Sequence, residues 1–404
     1  MISLETPKKF RPLVSQAHQV ATEVFRPISR KYDLAEHEHP KELDMLASLI
    51  DGMNAGSDMG GAGAAGVRRD RAPAGETANR NGSNLSTVLG VMELCWGDVG
   101  LLLSMPRQGL GNAAIASVAN EEQLARYDGR WAAMAITEPE AGSDSAAIRT
   151  TAVLDGDEYV LNGEKIYVTA GERADLVVVW ATLDRSKGRA AIKSFVVERE
   201  NPGLKLERLE RKLGIRASDT AAFRLEDCRV PKEDMLGSDT IDVKQGFGGA
   251  MQTFDNTRPL VAAMAVGLTR ACLEETATQL ERAGVVLDHG APAHAQHAAA
   301  ARLQAMQADY EAARLLTLQA AWMADNAKPN SLHASMAKAK AGRTCVEVAL
   351  ACVELCGSLG YSEGGLLEKW ARDAKILDIF EGTQQIQLLI VARQLLGKTS
   401  ADLC

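Results

Sequence analysis

The chain lacks the features that would place it in a membrane or outside the cell. No stretch of its 404 residues approaches the roughly 18 uninterrupted apolar residues that a membrane span needs. Its first residues carry charge at Glu5, Lys8 and Lys9 without an apolar leader, so we do not expect secretion. The seven cysteines form no Cys-x-x-Cys pair, which argues against a disulfide framework or a zinc site. We therefore expect a cytoplasmic protein with reduced thiols and no membrane span.

A concentrated basic surface is also missing. The net charge is −8 and the basic residues are dispersed, so we expect no nucleic-acid binding. His294 and His297 are spaced for one helix face, but no third ligand is evident and we expect no metal. The length suits two or three packed subdomains.

Three regions differ in their apolar pattern. Residues 1–130 repeat apolar side chains at helical spacing, apart from a glycine-rich stretch at 52–83 that is typical of a loop. Residues 131–240 alternate short β-branched runs with turn residues, which predicts an antiparallel β domain. Residues 241–404 return to long helical spacing and predict an antiparallel bundle of three or four helices.

The clearest local prediction is a β-hairpin. The turn dipeptides Asp155-Gly156 and Asn162-Gly163 flank the apolar run Tyr159-Val160-Leu161. The predicted buried helix faces include Val88, Val91, Met92 and Cys95; Cys345, Val348, Cys352 and Leu355; and Ile386, Leu389, Ile390 and Leu396.

Two stretches in the middle region combine residues suited to a ligand. Residues 135–144 place glycine and small hydroxyl residues after an apolar strand, so that backbone N–H groups can approach a planar or anionic group. A simple turn explains the same residues. Residues 165–169 hold Tyr167 beside β-branched residues, a pattern that is also typical of a packed core.

Two further stretches lie in the last region. Asp255 and Arg258 precede a long apolar helix. They either form a surface ion pair or bind the polar, amide-bearing part of a ligand. Glu381 follows an apolar strip and precedes Gly382, and Thr383 is placed to cap the final helix. Glu381 is either an acid stabilised by the helix dipole or a desolvated general base.

Taken together, in this order and at this spacing, the four stretches resemble the acyl-CoA dehydrogenase family from about residue 10 to residue 398. Further family-like segments are 212–216, Val230-Pro231 with Leu236-Gly237, and 372–375. The resemblance implies an α+β chain with an N-terminal helical domain (1–130), a middle β-barrel-like domain (131–240) and a C-terminal four-helix bundle (241–404). FAD would lie between the middle domain and the bundle.

The resemblance also implies the chemistry. It identifies Glu381 as the base that removes the α-proton of an acyl-CoA thioester, while the β-hydride passes to flavin N5 and leaves a 2-enoyl product. An electron-transfer flavoprotein would accept the electrons. The positions matched to FAD are Met134, Ile136, Thr137, Gly142, Ser143, Tyr167, Thr169, Thr383 and Gln385, with Tyr167 replacing the usual tryptophan. The positions matched to substrate are Ser143, Asp255, Arg258 and Gly382.

Two departures concern positions that reach the FAD of a neighbouring subunit in relatives. Arg282 remains, but the aromatic residue that usually follows it is absent. Glu354 stands where glutamine is usual, and Gly357-Ser358 replaces a Gly-Gly turn. A carboxylate facing a diphosphate is repelled by about 1 kcal/mol or more. We therefore expect an oligomer arranged as a dimer of dimers, and both a homo-oligomer and a hetero-oligomer remain possible assemblies. One hetero-oligomer would be a mixed tetramer in which a paralogous chain supplies the intact FAD-contacting residues.

Three functional hypotheses follow from these residues. The first is an FAD-dependent dehydrogenase. The second is a partner subunit with limited activity alone, against which Glu381 argues because a structural subunit needs no base. The third is a flavin oxidase or monooxygenase on the same fold. The acyl group is not identified, because the 52–83 segment lacks the pattern expected where relatives line the acyl tunnel.

Overall fold

The computed structural model describes residues 6–54, 81–106, 110–241, 248–399 and 402, without the side chains of 49–54 and 248–256. Most of the glycine-rich stretch at 52–83 therefore lies outside the described residues. Helices precede a single sheet, and longer helices follow it.

The first helices form a layer around one buried helix. They are α1 (Arg11–Val20), α2 (Arg26–Ala35), α3 (Lys41–Asn54), α4 (Ser83–Gly97), α5 (Val99–Ser104), α6 (Leu110–Val118) and α7 (Glu121–Arg126). The predicted face of α4, formed by Val88, Val91, Met92 and Cys95, is buried as expected. Asp98 caps α5 by accepting a hydrogen bond from the Leu101 amide.

The middle region is one mixed sheet. Its strands are β1 (Ala132–Ala135), β2 (Thr151–Asp155), β3 (Glu158–Thr169), β4 (Leu176–Thr182), β5 (Ile192–Glu198), β6 (Leu204–Leu209), β7 (Thr220–Pro231) and β8 (Met235–Leu236). Their order is β6-β7-β3-β2-β4-β5-β8, with β1 beside β4. Most pairs are antiparallel, but β1 runs parallel to β4 and β2 meets β4 in parallel at one residue pair.

One of the two predicted turns is correct. Asp155 pairs with Glu158 across the turn that joins β2 to β3, and Gly156 there has φ +63°. The Asn162-Gly163 turn is wrong, because both residues lie inside β3 at a bulge opposite β7. Gly163 is needed there for a close approach: a Cβ would lie 2.4 Å from the Thr150 hydroxyl.

The last region is a helical bundle formed by α8 (Gly248–Arg282), α9 (Ala298–Asp325), α10 (Ser331–Tyr361), α11 (Leu367–Leu377) and α12 (Gln384–Leu396). The predicted face of α10 is confirmed, since Cys345, Val348 and Cys352 are buried. The apolar face predicted for α12 lies on one helix as expected, but it is not buried within this chain: Leu389 and Leu396 are 45% and 67% exposed. The buried residues of α12 are polar instead.

Helix α10 is long and apolar enough to cross a membrane by length and composition alone. Its most apolar window has a mean hydropathy of 1.4, and 39% of that window is buried. It packs against α8, α9, α11 and α12, which is the position of a central helix in a bundle.

The segment that joins β6 to β7 connects the sheet to the bundle. The Ile215 amide donates to Asp373 of α11, and Arg372 donates to the Leu213 carbonyl oxygen at 3.0 Å. Gly214 lies so close to α11 that a Cβ would be 2.5 Å from the Arg372 carbonyl carbon. The backbone of the sheet region is therefore fixed against the helix that leads to Glu381.

Candidate active site

The predicted base lies in a turn between α11 and α12. Glu381 has φ +55° and Gly382 has φ +95°, so two consecutive residues adopt the left-handed region. That conformation is strained for glutamate and easy for glycine. The Gln384 amide donates to the Asp378 carbonyl oxygen at 3.1 Å and closes the turn.

The carboxylate of Glu381 is directed inward. Its Oε2 atom is buried and has no hydrogen-bond partner among the described residues. Burial raises the pKa of Glu381 above its ordinary value, although a hydrogen bond with the Thr257 side chain and the charges of Lys338 and Arg258 oppose that shift. A carboxyl group in this setting is a stronger base than an exposed glutamate once it is ionised.

Two buried polar side chains hold the turn, and the sequence analysis missed both. The Lys338 ammonium of α10 donates to the Gly382 carbonyl oxygen at 2.7 Å. The Gln387 amide of α12 donates to the carbonyl oxygens of Glu381 and Gly382 at 3.0 and 3.2 Å. Lys338 lies on the buried stripe of α10 with Ala334 and other small residues, and a lysine on such a stripe was the available signal.

Of the other predicted substrate residues, the structure brings Arg258 and Gly382 to this turn. Arg258 is 3% exposed on α8 and acts electrostatically on Glu381 and Lys338. Asp255 lies on the same helix, but its side chain is outside the described residues. Gly382 forms the turn itself, and Ser143 is exposed in the middle region.

The structure joins the two middle-region stretches that were matched to a flavin. The Ile166 amide donates to the Thr137 carbonyl oxygen at 2.9 Å, and the Lys165 ammonium donates to the Ile136 carbonyl oxygen at 3.2 Å. Lys165 also contacts the Glu138 carboxylate at 2.7 Å, and the two side chains are 0% and 6% exposed. This buried ion pair links residues 135–144 to residues 165–169 on their buried side.

The joined stretches present a platform of small side chains and one ring. Gly142 and Ser143 are exposed, and a Cβ on Gly142 would meet nothing within 4 Å. Tyr167 has φ +58° at a bulge of β3 and is 61% exposed. Thr169 is half-buried on the same strand, whereas Met134 is buried in β1.

Thr383 and Gln385 lie at the first turn of α12, directly after the base. The Thr383 hydroxyl accepts from the Ile386 amide at 3.4 Å, so the predicted N-cap is confirmed. Gln385 is exposed. Thr383 and Gln385 therefore lie at the start of the helix whose Gln387 side chain donates to the Glu381 carbonyl oxygen.

The residues matched to a neighbouring subunit's FAD lie elsewhere. Glu354 is 16 positions beyond Lys338 on α10, about 24 Å along a helix axis. It contacts Arg302 of α9 at 2.7 Å, and this ion pair lowers the pKa of Glu354. Gly357 breaks the helix with φ +55°, next to the exposed Ser358, and Arg282 is exposed at the end of α8. The structure therefore does not bring these four residues together with Glu381.

The chain has three parts, a helical layer, a mixed sheet and a helical bundle. A buried carboxylate, that of Glu381, lies just before the last helix. This architecture and this site define the class of protein to which the chain is compared. Two family models match over half of the chain: the acyl-CoA dehydrogenase middle domain at 133–228 and the acyl-CoA dehydrogenase C-terminal domain at 244–396. The structure of butyryl-CoA dehydrogenase from Megasphaera elsdenii has a TM-score of 0.83 at 30% identity, covering 98% of this chain and 100% of that chain.

Curated relatives agree with these matches. Acyl-CoA dehydrogenase, short-chain specific, from Clostridium acetobutylicum is 34% identical over 325 residues, or 78% of this chain and 84% of that protein. Short-chain specific acyl-CoA dehydrogenase, mitochondrial, from Mus musculus is 40% identical over 262 residues, or 65% of this chain. That match spans 62% of the mouse protein, less than two thirds of its length. The chain belongs to the acyl-CoA dehydrogenase family, and the predicted fold class is confirmed.

Proposed function

We propose that the chain is an FAD-dependent acyl-CoA dehydrogenase in which Glu381 removes the α-proton of a thioester. The observation that carries this proposal is the buried Oε2 atom of Glu381, which has no hydrogen-bond partner among the described residues. A buried polar atom without a partner is costly to the fold, and a catalytic role is one reason for a protein to retain it. A carboxylate with a raised pKa is suited to proton abstraction.

The middle-region platform fits a flavin. Ile136 and Thr137 offer backbone groups, Gly142 leaves open space above the chain, and the exposed ring of Tyr167 offers a flat apolar surface. Thr169, Thr383 and Gln385 would add polar contacts, as the family resemblance implies. When bound, FAD supplies the acceptor for the β-hydrogen, which leaves with its electron pair.

The residues of the chain then have separate tasks. Glu381 takes the α-proton onto its carboxylate, and its backbone N–H would donate to the thioester carbonyl oxygen on which negative charge develops. Thr257 and the Lys338 charge keep a fraction of the carboxyl ionised despite burial. Arg258, Asp255 and Ser143 would hold the polar arm of the thioester.

We further propose that the substrate is a short-chain acyl-CoA, because the Mus musculus and Clostridium acetobutylicum relatives are named for short chains. The proposed electron acceptor is an electron-transfer flavoprotein.

We also propose that the protein is located in the cytoplasm, which is a reducing compartment. The described cysteines, which are all except Cys404, are free thiols and are compatible with it.

A second candidate is a subunit of a mixed tetramer. Glu354 favours it, because its pKa is lowered and the carboxylate is therefore ionised, where relatives carry a neutral amide. Arg302 offsets part of that charge, so weakened FAD binding in trans is expected and not complete loss. Flavin content per subunit of the chain purified alone separates the two candidates: full occupancy in a homotetramer refutes the mixed assembly.

The test of activity is an anaerobic assay with an artificial electron acceptor and straight-chain acyl-CoAs from butyryl-CoA upward. Glu381→Gln should keep thioester binding and lose turnover by several orders of magnitude. Glu347→Gln, on an exposed carboxylate of α10, is the matched control and should behave like the wild type. Activity retained by Glu381→Gln would refute the assigned base. Rapid oxygen consumption with thioester would instead favour the oxidase alternative.

A further inference from the structure

The buried ammonium of Lys338 needs an explanation beyond packing. Lysine is almost never fully buried unless it is paired, and this side chain is 0% exposed. Its hydrogen bond goes to a neutral carbonyl oxygen, that of Gly382, at 2.7 Å. A neutral donor would suffice for such a bond, and Gln387 already supplies one at 3.2 Å. The hydrogen bond to Gly382 therefore explains why a donor is needed at position 338, but not why that donor carries a charge.

Three charged groups from two elements face this ammonium. Asp378 and Glu381 lie in the turn after α11, and Arg258 lies on α8. Asp378 is itself within 3.8 Å of Arg343 and 3.7 Å of Lys375, so part of its charge is already balanced. Glu381 is the remaining carboxylate near Lys338. Of its other neighbours, Thr257 carries no charge and Arg258 carries a second positive charge.

Backbone strain at the base gives the second line of argument. A glutamate at φ +55° persists only where its surroundings hold it. Both carbonyl oxygens of the strained pair, Glu381 and Gly382, accept hydrogen bonds from buried side chains. Gln387 is packed so closely that a Cβ on Gly382 would be 2.4 Å from its amide nitrogen. The two donors therefore fix the direction in which Glu381 points.

We propose that Lys338 and Gln387 are positioning residues for Glu381, Gln387 by holding its left-handed backbone and Lys338 by also favouring its ionised form. The inference rests on the proposed function for its kinetic consequences, but not for its electrostatic one. Burial lowers the pKa of Lys338 to about 8, so the ammonium is present at neutral pH and is lost in mildly alkaline solution. The effect of Lys338 on Glu381 is therefore greatest below about pH 8.

The kinetic test uses Lys338→Met and Lys338→Gln, which both remove the charge, whereas the second keeps a donor. Both should move the acid limb of kcat/KM upward by about one pH unit, because a nearby positive charge lowers a carboxyl pKa. Gln387→Met should leave that limb in place and reduce kcat about tenfold to a hundredfold, with little change in KM. Lys340→Met is the control, because Lys340 lies two positions along α10 and pairs with Asp309 away from the base.

A test without turnover uses a double-mutant cycle for stability between Lys338→Met and Glu381→Gln. Near pH 7 the two substitutions should be non-additive, because the charge of Lys338 then acts on an ionised Glu381. At pH 4.5, the ordinary value for glutamate, the raised pKa keeps Glu381 mostly protonated and the coupling should shrink. If Lys338→Met does not fold, Lys338→Gln completes the same cycle.

Additive effects at both pH values, or an acid limb unmoved in both Lys338 variants, would overturn the proposal and leave Lys338 as a structural residue. A coupling that shrinks at low pH in a chain with no dehydrogenase activity would support the electrostatic inference and refute the proposed function. The two failures are therefore distinguishable.

Discussion

Replacing Lys165 by methionine tests the buried ion pair that joins the two stretches of the middle-region platform. Lys165 and Glu138 lie 2.7 Å apart at 0% and 6% exposure. Burial alone would raise the pKa of Glu138, but the Lys165 charge and donors from Thr150 and the Arg149 amide reverse that effect, so its pKa lies below the ordinary value. Without the lysine, a buried carboxylate keeps those hydrogen bonds and loses its counter-charge.

Removing one partner of a buried pair costs about 3–5 kcal/mol, and we expect the lower end because donors to Glu138 remain. With about 2.1 cal/mol/K of unfolding entropy per residue, a chain of 404 residues loses only about 1 °C of Tm per kcal/mol, so 3 kcal/mol lowers Tm by about 3–4 °C. The loss should be greatest near neutral pH. It should narrow as the pH falls towards and below 4.5, the ordinary value for glutamate, because Glu138 then becomes protonated in the variant and finally in the wild type.

The assay is urea unfolding followed by tryptophan fluorescence. Two of the five tryptophans, Trp131 and Trp180, lie beside and within the sheet and contribute to that signal. Adding Glu138→Gln to Lys165→Met should restore more than half of the lost stability, because no unpaired charge then remains. Lys205→Met, in an exposed pair with Glu226, should show no measurable change. A single variant within about 0.5 kcal/mol of the wild type, together with no rescue in the double variant, would refute the reasoning.

Three further substitutions test other contacts. Glu381→Gln should raise Tm near pH 7 but not at acid pH. Because the pKa of Glu381 is raised in the folded state, the carboxyl group stabilises the fold only while it is protonated, and this stabilisation is lost as the pH rises. Calorimetry at both pH values checks the sign of the change in Tm. Gly267→Ala should cost about 1–3 kcal/mol in urea unfolding, since its Cβ would lie 2.2 Å from the Met92 carbonyl oxygen. Lys369→Met should cost about 3–5 kcal/mol, because it leaves two carboxylates buried, and Asp373→Asn should restore part of that loss.

Local patterns predicted the structure where the local chain determines it. The turn at Asp155-Gly156 formed because the dipeptide permits positive φ between two strands that pair. The same reasoning failed at Asn162-Gly163, where glycine permits a close approach to Thr150, the residue directly before β2. A dipeptide alone does not distinguish a turn from a bulge.

The apolar face of α12 shows a second limit. Periodicity identifies which residues share a face, but not what covers it, and within this single chain Leu389 and Leu396 remain exposed. The buried lysines show a third limit of prediction from the sequence. Lys165 and Lys338 find their partners 27 and 44 positions away, and Lys369 meets Asp98 271 positions away. Only the tertiary fold makes burial of those charges tolerable.

The missing side chain at Gly214 has a consequence for the spacing of the reacting groups. The sheet region meets α11 there through backbone atoms, and Glu381 follows α11 after only a few residues. A Cβ at this position would lie 2.5 Å from the Arg372 backbone, so a larger residue would have to push the sheet region and α11 apart and would move Glu381 relative to the platform. Under the proposed function, the spacing between the platform and Glu381 would therefore depend on a position that touches neither substrate nor cofactor, and that position should tolerate little change.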